Sequence, residues 1–255
     1  WADGSRYASK SLLSEGKWVK IRVDKTGIYK LSYADLKNMG FSDPSKVSVH
    51  GYEGWPLDED FSKEYIDDVP STPVWRGSDY LLFYGKGPVK WEYDSSSQTF
   101  VHTNNPYSLY GYYFVTDATP TNDMTSVAQA SGASTRITTY DDYLLHEQEL
   151  VSVNQSGREF FGEDFSGARP RTISTFSSIP GITDADGKVT MRFISRINSG
   201  SGTASLSIND SELLDITIPS IQTVSSNVRS YTKAIPGTTT ALWKGSKSEK
   251  NNVVV

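Results

Sequence analysis

The chain has 255 residues, a net charge of −5, no cysteine and 12 % aromatic residues. Without a block of basic residues it lacks the electrostatic footprint of a nucleic-acid binder, so nucleic acid is not an expected partner. The lack of cysteine excludes disulfide frameworks, thiolate metal sites and any cysteine nucleophile within these residues, and no apolar run approaches the about 18 residues of a membrane-spanning helix.

The 15 Tyr, 10 Phe and 6 Trp suit half-buried pleated surfaces, and 20 Gly with 11 Pro supply turns. The expected class is all-β, with one or two short helices and two β-rich domains.

In chain order, WVKIRV alternates Val19, Ile21 and Val23 against Lys20 and Arg22, the two-residue period of a strand with one buried face. The turn formers Asp24 to Gly27 lead into a second run in which Tyr29, Leu31 and Tyr33 share a face, so a β-hairpin is expected. Ser32 with Asp35 resembles a capping box, Leu36 and Met39 share a helical face, and Gly40 supplies a left-handed stop, which predicts a short helix near 33–39. Asp43 and Pro44 turn the chain into KVSVHG. YLLFYG at 80–85 is almost wholly apolar and reads as a central strand, and WEYD, QTFVH and GYYFVTD continue the strand-and-turn spacing.

Aromatics vanish between Asp117 and Ser134, where a linker is expected. The domains expected are therefore 1–134, β-rich with the short helix, and 135–255, a β-sandwich. In the second, Asp186-Gly187 reads as a tight turn before a strand that buries Val189, Met191 and Phe193, and NDSE separates two strands that place Leu206 and Ile208 opposite Leu214, Ile216 and Ile218. The terminal NNVVV reads as the start of a β-branched strand in need of a partner, so this domain is expected to be truncated at its C-terminal end and its parent protein to continue.

GKWVKIRVDKTGIYKLSYADLKNMGF followed by VSVHGYEG resembles the opening of PorU-type sortases of the type IX secretion system. SDYLLFYGKGPVKWEYD, HTNNPYSLYGYYFVTD and YDDYLLHEQELVSVNQSGREFFGEDF agree in order, so the resemblance spans most of residues 17–165, and beyond Phe165 only the pattern matches. It implies a non-catalytic N-terminal region ahead of a gingipain-like cysteine peptidase domain that trims cargo sorting signals at the cell surface. The implied partners are that downstream peptidase domain, cargo C-terminal signal domains and other secretion components at the outer membrane. His50, His102 and His146 match no catalytic motif of the family.

Trp55 with the neighbouring acidic residues Asp58, Glu59 and Asp60 is the candidate interaction surface, and a carbohydrate-binding β-module is the alternative function that such a surface would serve. Trp75, Trp91, Tyr107, Tyr110, Tyr112 and Tyr113 could extend a ring platform, although alternate members of GYYFVT must face the core. The acidic run continues through Glu64, Asp67 and Asp68, but its irregular spacing fits a solvated loop better than a cation site. In GREFFGEDF, Arg158, Glu159, Phe160, Phe161 and Glu163 read as a structural joint anchored by aromatic rings, rather than as a catalytic carboxylate pair. His146-Glu147 lacks the second histidine of a zinc signature, Gly85-Lys86-Gly87 lacks the ending of a phosphate loop, and no cofactor or metal is expected.

Overall fold

The computed structural model describes residues 7–60, 62–63, 66–132, 134–166, 170–244 and 253–254. Phe61 and Glu64 of the acidic loop, and Asn251, Asn252 and Val255 of the terminal run, lie outside the described residues. With 40 % strand and 6 % helix the protein is all-β. It divides into two compact units, residues 1–139 and 140–255.

The first unit contains β1 (Val19–Val23), β2 (Gly27–Ser32), α1 (Tyr33–Asn38), β3 (Ser48–Glu53), β4 (Ser71–Thr72), β5 (Val74–Arg76), β6 (Tyr80–Gly85), β7 (Val89–Asp94), β8 (Thr99–Asn104) and β9 (Gly111–Thr116). One sheet runs β1-β9-β3-β4, another β2-β6-β5, and β7-β8 forms a ribbon. The expected hairpin between β1 and β2 is not formed. β1 pairs antiparallel with β9, Ile21 opposite Tyr113, whereas β2 pairs with β6, Tyr29 opposite Phe83. Both strands have one apolar face, and a corner at Asp24–Thr26 lets them cover the core from two sheets. The Tyr29 hydroxyl fixes that corner by donating to the Lys25 carbonyl at 2.7 Å and accepting from the Lys25 N–H at 3.2 Å.

Val23, Val49 and Val115 from the first sheet meet Val74, Leu81 and Phe83 from the second in one core, with Leu36 of α1 and Phe41 closing it. β6 is central, as its apolar run predicts. α1 starts where expected: Ser32 Oγ accepts from the Asp35 N–H at 3.0 Å and donates to its carboxylate at 2.6 Å, and Gly40 takes a φ of 89° beyond the helix. The expected linker is partly anchored, because Asn122 and Met124 hydrogen-bond the backbone of Val74 at the edge of β5.

The second unit contains β10 (Thr172–Ile173), β11 (Asp186–Phe193), β12 (Ser201–Ile208), β13 (Ser211–Pro219), β14 (Gln222–Ser225), β15 (Ser230–Lys233), β16 (Gly237–Lys244) and β17 (Val253–Val254). A sheet of order β10-β17-β12-β13 packs with the β11-β16 pair, and Met191, Leu206, Ile208, Leu214, Ile216 and Ile218 form the shared core against which Trp243 rests. β12 and β13 are the expected hairpin, with Leu206 opposite Leu214 and left-handed Asn209 and Asp210 (φ 53° and 63°) at the turn. Asp186 and Gly187, expected as a turn, instead begin β11, opposite Lys244 and Trp243. The long antiparallel match to β16 extends the strand through a dipeptide whose local preference favours a turn. The valines near the end do find a partner, since β17 inserts between β10 and β12.

Candidate functional site

Trp55 sits just past β3, where three glycines bring backbones into contact. A Cβ on Gly54 would lie 2.5 Å from the Gly87 carbonyl and 2.8 Å from Gly111 Cα, so only glycine fits there. Asn105 Nδ2 donates to the Gly54 carbonyl at 2.8 Å, and Lys86 pairs with Glu53, whose φ is 81°, at 2.5 Å. This frame holds the indole half-buried, with Lys86 Nζ 4.4 Å and Lys90 Nζ 5.4 Å from its ring centroid. Its Nε1–H is buried and finds no acceptor among the described residues. Trp55 thus stands in a frame of paired charges, and its ring is overlain by the ammonium groups.

Asp58, Glu59 and Asp60 are exposed. Asp58 accepts from Lys63 Nζ at 2.6 Å and from the Asp60 N–H at 3.0 Å, and the lysine bond is the main reason its carboxyl lies below the usual range. Asp60 accepts from the Ser62 hydroxyl at 2.6 Å and the Ser62 N–H at 3.0 Å, which lowers it in the same way. These two carboxylates therefore organise their own loop. Asp68 does something else: it accepts from the Leu12 N–H at 2.6 Å and the Ser11 hydroxyl at 2.8 Å, and so pins the segment before β1. Among the described residues no three carboxylate or imidazole groups converge as metal ligands do.

In the second unit the Phe-rich segment lies along β11. Glu159 pairs with Arg192, and that guanidinium stands 5.4 Å from the Phe161 ring centroid. The Phe161 backbone exchanges hydrogen bonds with Val151 at 2.8 and 2.9 Å. Glu163 meets His146 Nε2 at 2.6 Å, and Phe165 stacks edge-on to Phe193 at 4.9 Å. Phe160 is half-buried and Arg158 exposed. Burial works to raise the Glu163 carboxyl, but the His146 bond, its own backbone N–H and nearby Arg171 outweigh it and hold the group below its ordinary value.

Two features went unseen in the sequence. His50 is buried at 3 % exposure, with Nδ1 3.2 Å from the Val69 carbonyl and Nε2 2.9 Å from Thr119 Oγ1. A carbonyl can only accept, so Nδ1 donates to the Val69 carbonyl. It borders an open pocket of about 380 Å3 lined also by Leu12, Ser71 and Thr119 to Asn122. Four consecutive β3 residues, Ser48 to Gly51, are buried, so alternation could not mark this histidine as internal. The second feature is a ladder of cations on rings: Lys20 Nζ stands 3.8 Å from the Tyr112 centroid and the Arg22 guanidinium 4.6 Å from that of Tyr110. Only the β1–β9 register, which no local pattern reveals, brings these residues together.

No protein-family model matches the chain, and no curated protein matches it significantly. Among solved structures it is similar to dimeric latent PorU from Porphyromonas gingivalis, with a TM-score of 0.77 and 36 % sequence identity over 98 % of this chain. That match supports a PorU-type N-terminal region. The chain spans 23 % of the length of that PorU chain. The coverage runs beyond Phe165, so the second unit is PorU-like as well, where sequence alone matched by pattern only. With no cysteine anywhere in it, this PorU-type region fits a non-catalytic part.

Proposed function

We propose that this chain is the accessory region of a larger exported protein related to PorU, positioning a downstream cysteine peptidase domain or contacting cargo signal domains and secretion partners at the cell surface. The observation that supports it is the match to PorU along 98 % of a chain that contains no cysteine. A surface setting agrees with that similarity, and among the described residues no helix is long and apolar enough to cross a membrane. Its work in this reading is contact, and the chemistry belongs to the remainder of the polypeptide.

The test is an in-frame deletion of residues 7–244 from the parent gene, read by removal of cargo C-terminal signals and by labelling with a cysteine-directed probe. Lost cargo processing with labelling retained is the expected result. Processing that continues unchanged overturns the accessory role, and loss of labelling recasts the region as one needed to fold the peptidase.

A carbohydrate-binding role is favoured by one observation, the exposure of Tyr93 (53 %) and Tyr107 (72 %). A glycan array decides it: selective binding lost in Tyr93→Ala and kept in Trp55→Ala is the pattern expected, since the Trp55 ring is already overlain by lysines.

A further inference from the structure

The basic residues of the first unit fall into two kinds. Around Trp55 each ammonium group has its own carboxylate: Lys86 meets Glu53 at 2.5 Å and Lys90 meets Glu92 at 2.8 Å. That cluster is neutral within itself. Lys20 and Arg22 differ. Both are exposed on β1, both lie over tyrosine rings, and neither has a carboxylate within ion-pair distance among the described residues. In a chain of net charge −5 they form a local positive face suited to a counter-charge supplied by a partner.

Their place in the sheet narrows what that counter-charge is attached to. β1 ends the order β1-β9-β3-β4, so among the described residues one of its edges pairs with β9 and the other carries no strand. An open edge offers alternating N–H and C=O groups to an incoming strand. Side chains of such a strand alternate between the two faces of the sheet and stand about 5 Å from their cross-strand neighbours. On one face those neighbours are Lys20 and Arg22. On the other they are Val19 and Ile21, which are partly buried against the core. Charged edge residues ordinarily repel pairing, but a pair of cations held on tyrosine rings repels selectively: it turns away basic strands and attracts acidic ones.

We propose that the open edge of β1 accepts an extended peptide with acidic residues at alternate positions and apolar residues between them, its carboxylates meeting Lys20 and Arg22. This deepens the contact role proposed above by giving it a surface and a partner chemistry. Binding to the isolated chain tests the surface, whereas cargo processing in the parent tests the role, so the two fail separately.

The measurement is fluorescence anisotropy of the full 255-residue chain with a fluorescein-labelled Glu-Val-Glu-Val-Glu peptide. Saturable binding is expected, weakened by about tenfold or more in the double variant Lys20→Glu, Arg22→Glu, whose circular dichroism should match the parent. That variant should in turn bind the corresponding Lys-Val-Lys-Val-Lys peptide. A Glu-Val peptide N-methylated at alternate amides keeps its charge and loses edge hydrogen bonds, so it should bind weakly. Equal binding by the methylated peptide, or by dextran sulfate in its place with the same loss in the variant, would make the face a general anion patch and overturn strand addition. No binding by the Glu-Val peptide overturns it outright.

Discussion

Both units are β-rich layers around one core, yet they close those cores to different depths. In the first, Leu36, Val47, Val49, Val74, Leu81 and Val115 are wholly buried at 0 % exposure. Among the described side chains of the second unit's core cluster only Ile216, at 1 %, approaches that, and Met191, Leu206, Ile208 and Ile218 each keep 6 %. Composition explains the difference. The first unit fills its interior with rings, Phe83 standing 5.7 Å from Tyr29 and 5.2 Å from Tyr113. Strands such as β12 (SGTASLSI) and the start of β16 (GTTT) offer small Ser, Thr, Ala and Gly side chains. A thin core gains less from burial, so polar clasps carry a larger share of stability in the second unit: Arg192 to Glu159, Glu163 to His146, and Asn154 to the backbone of Ala234.

Truncation in the two cores tests that contrast most directly. Phe83→Ala removes a ring that is 1 % exposed and touches two others, and should cost about 3–5 kcal/mol in urea denaturation. Leu206→Ala, at a shallower site, should fall near the lower end of the usual range, about 2 kcal/mol. Equal losses would show that exposure in the folded state does not measure how much each core contributes. The next effect belongs to the clasps. Asn154 donates through Nδ2 to the Ala234 carbonyl at 2.9 Å and accepts through Oδ1 from the Ala234 N–H at 2.8 Å, while Ala234 is wholly buried. Asn154→Ala leaves both backbone groups without partners and should cost about 1–3 kcal/mol, seen as faster hydrogen exchange at the Ala234 amide. Unchanged exchange would mean that another group or water takes the place of Asn154.

Much of this architecture can be read locally. Period-two alternation located β1, β2, β11, β12 and β13, the capping pair Ser32 and Asp35 located α1, and the apolar run Tyr80 to Gly85 located a central strand. Pairing over distance could not be read in the same way. The corner at Asp24 to Thr26 has the composition of a hairpin turn, and its strands separate because each has a better-matched partner far along the chain, β9 and β6. The site was legible only in part: aromatic content drew attention to Trp55, but its lysine cover comes from residues 86 and 90, and the Lys20–Tyr112 stack joins the first strand of its unit to the last. The clasps escaped for the same reason, since Glu159 and Arg192 are joined only after β11 has folded back along the Phe-rich segment.

A smaller effect sharpens the first unit's side of the comparison. Ser32→Ala removes the side chain that caps α1 and should cost about 1 kcal/mol, well below Phe83→Ala, because the deep core holds Leu36 in place whether or not the cap is made. If the two losses were alike, the cap and the core would be acting as one unit.

The smallest expected effect lies in the pH dependence of the second unit. Glu163 is held below its ordinary value of 4.5, burial opposing this and the His146 bond leading the groups that outweigh it. A carboxyl depressed in the folded state contributes stability that is present above its unfolded value and lost as pH falls through the folded one. Urea midpoints of the parent chain and of Glu163→Gln, followed from pH 7 downward, should therefore differ above about 4.5 and converge below it as the parent loses its advantage. A single half-buried pair gives a modest separation, smaller than that from Asn154→Ala, because water still reaches both groups and screens them. Parallel curves across the whole range would show that the His146–Glu163 contact contributes nothing by its charge, and that the Phe-rich segment is held by its rings, its backbone bonds to Val151 and the Glu159–Arg192 pair.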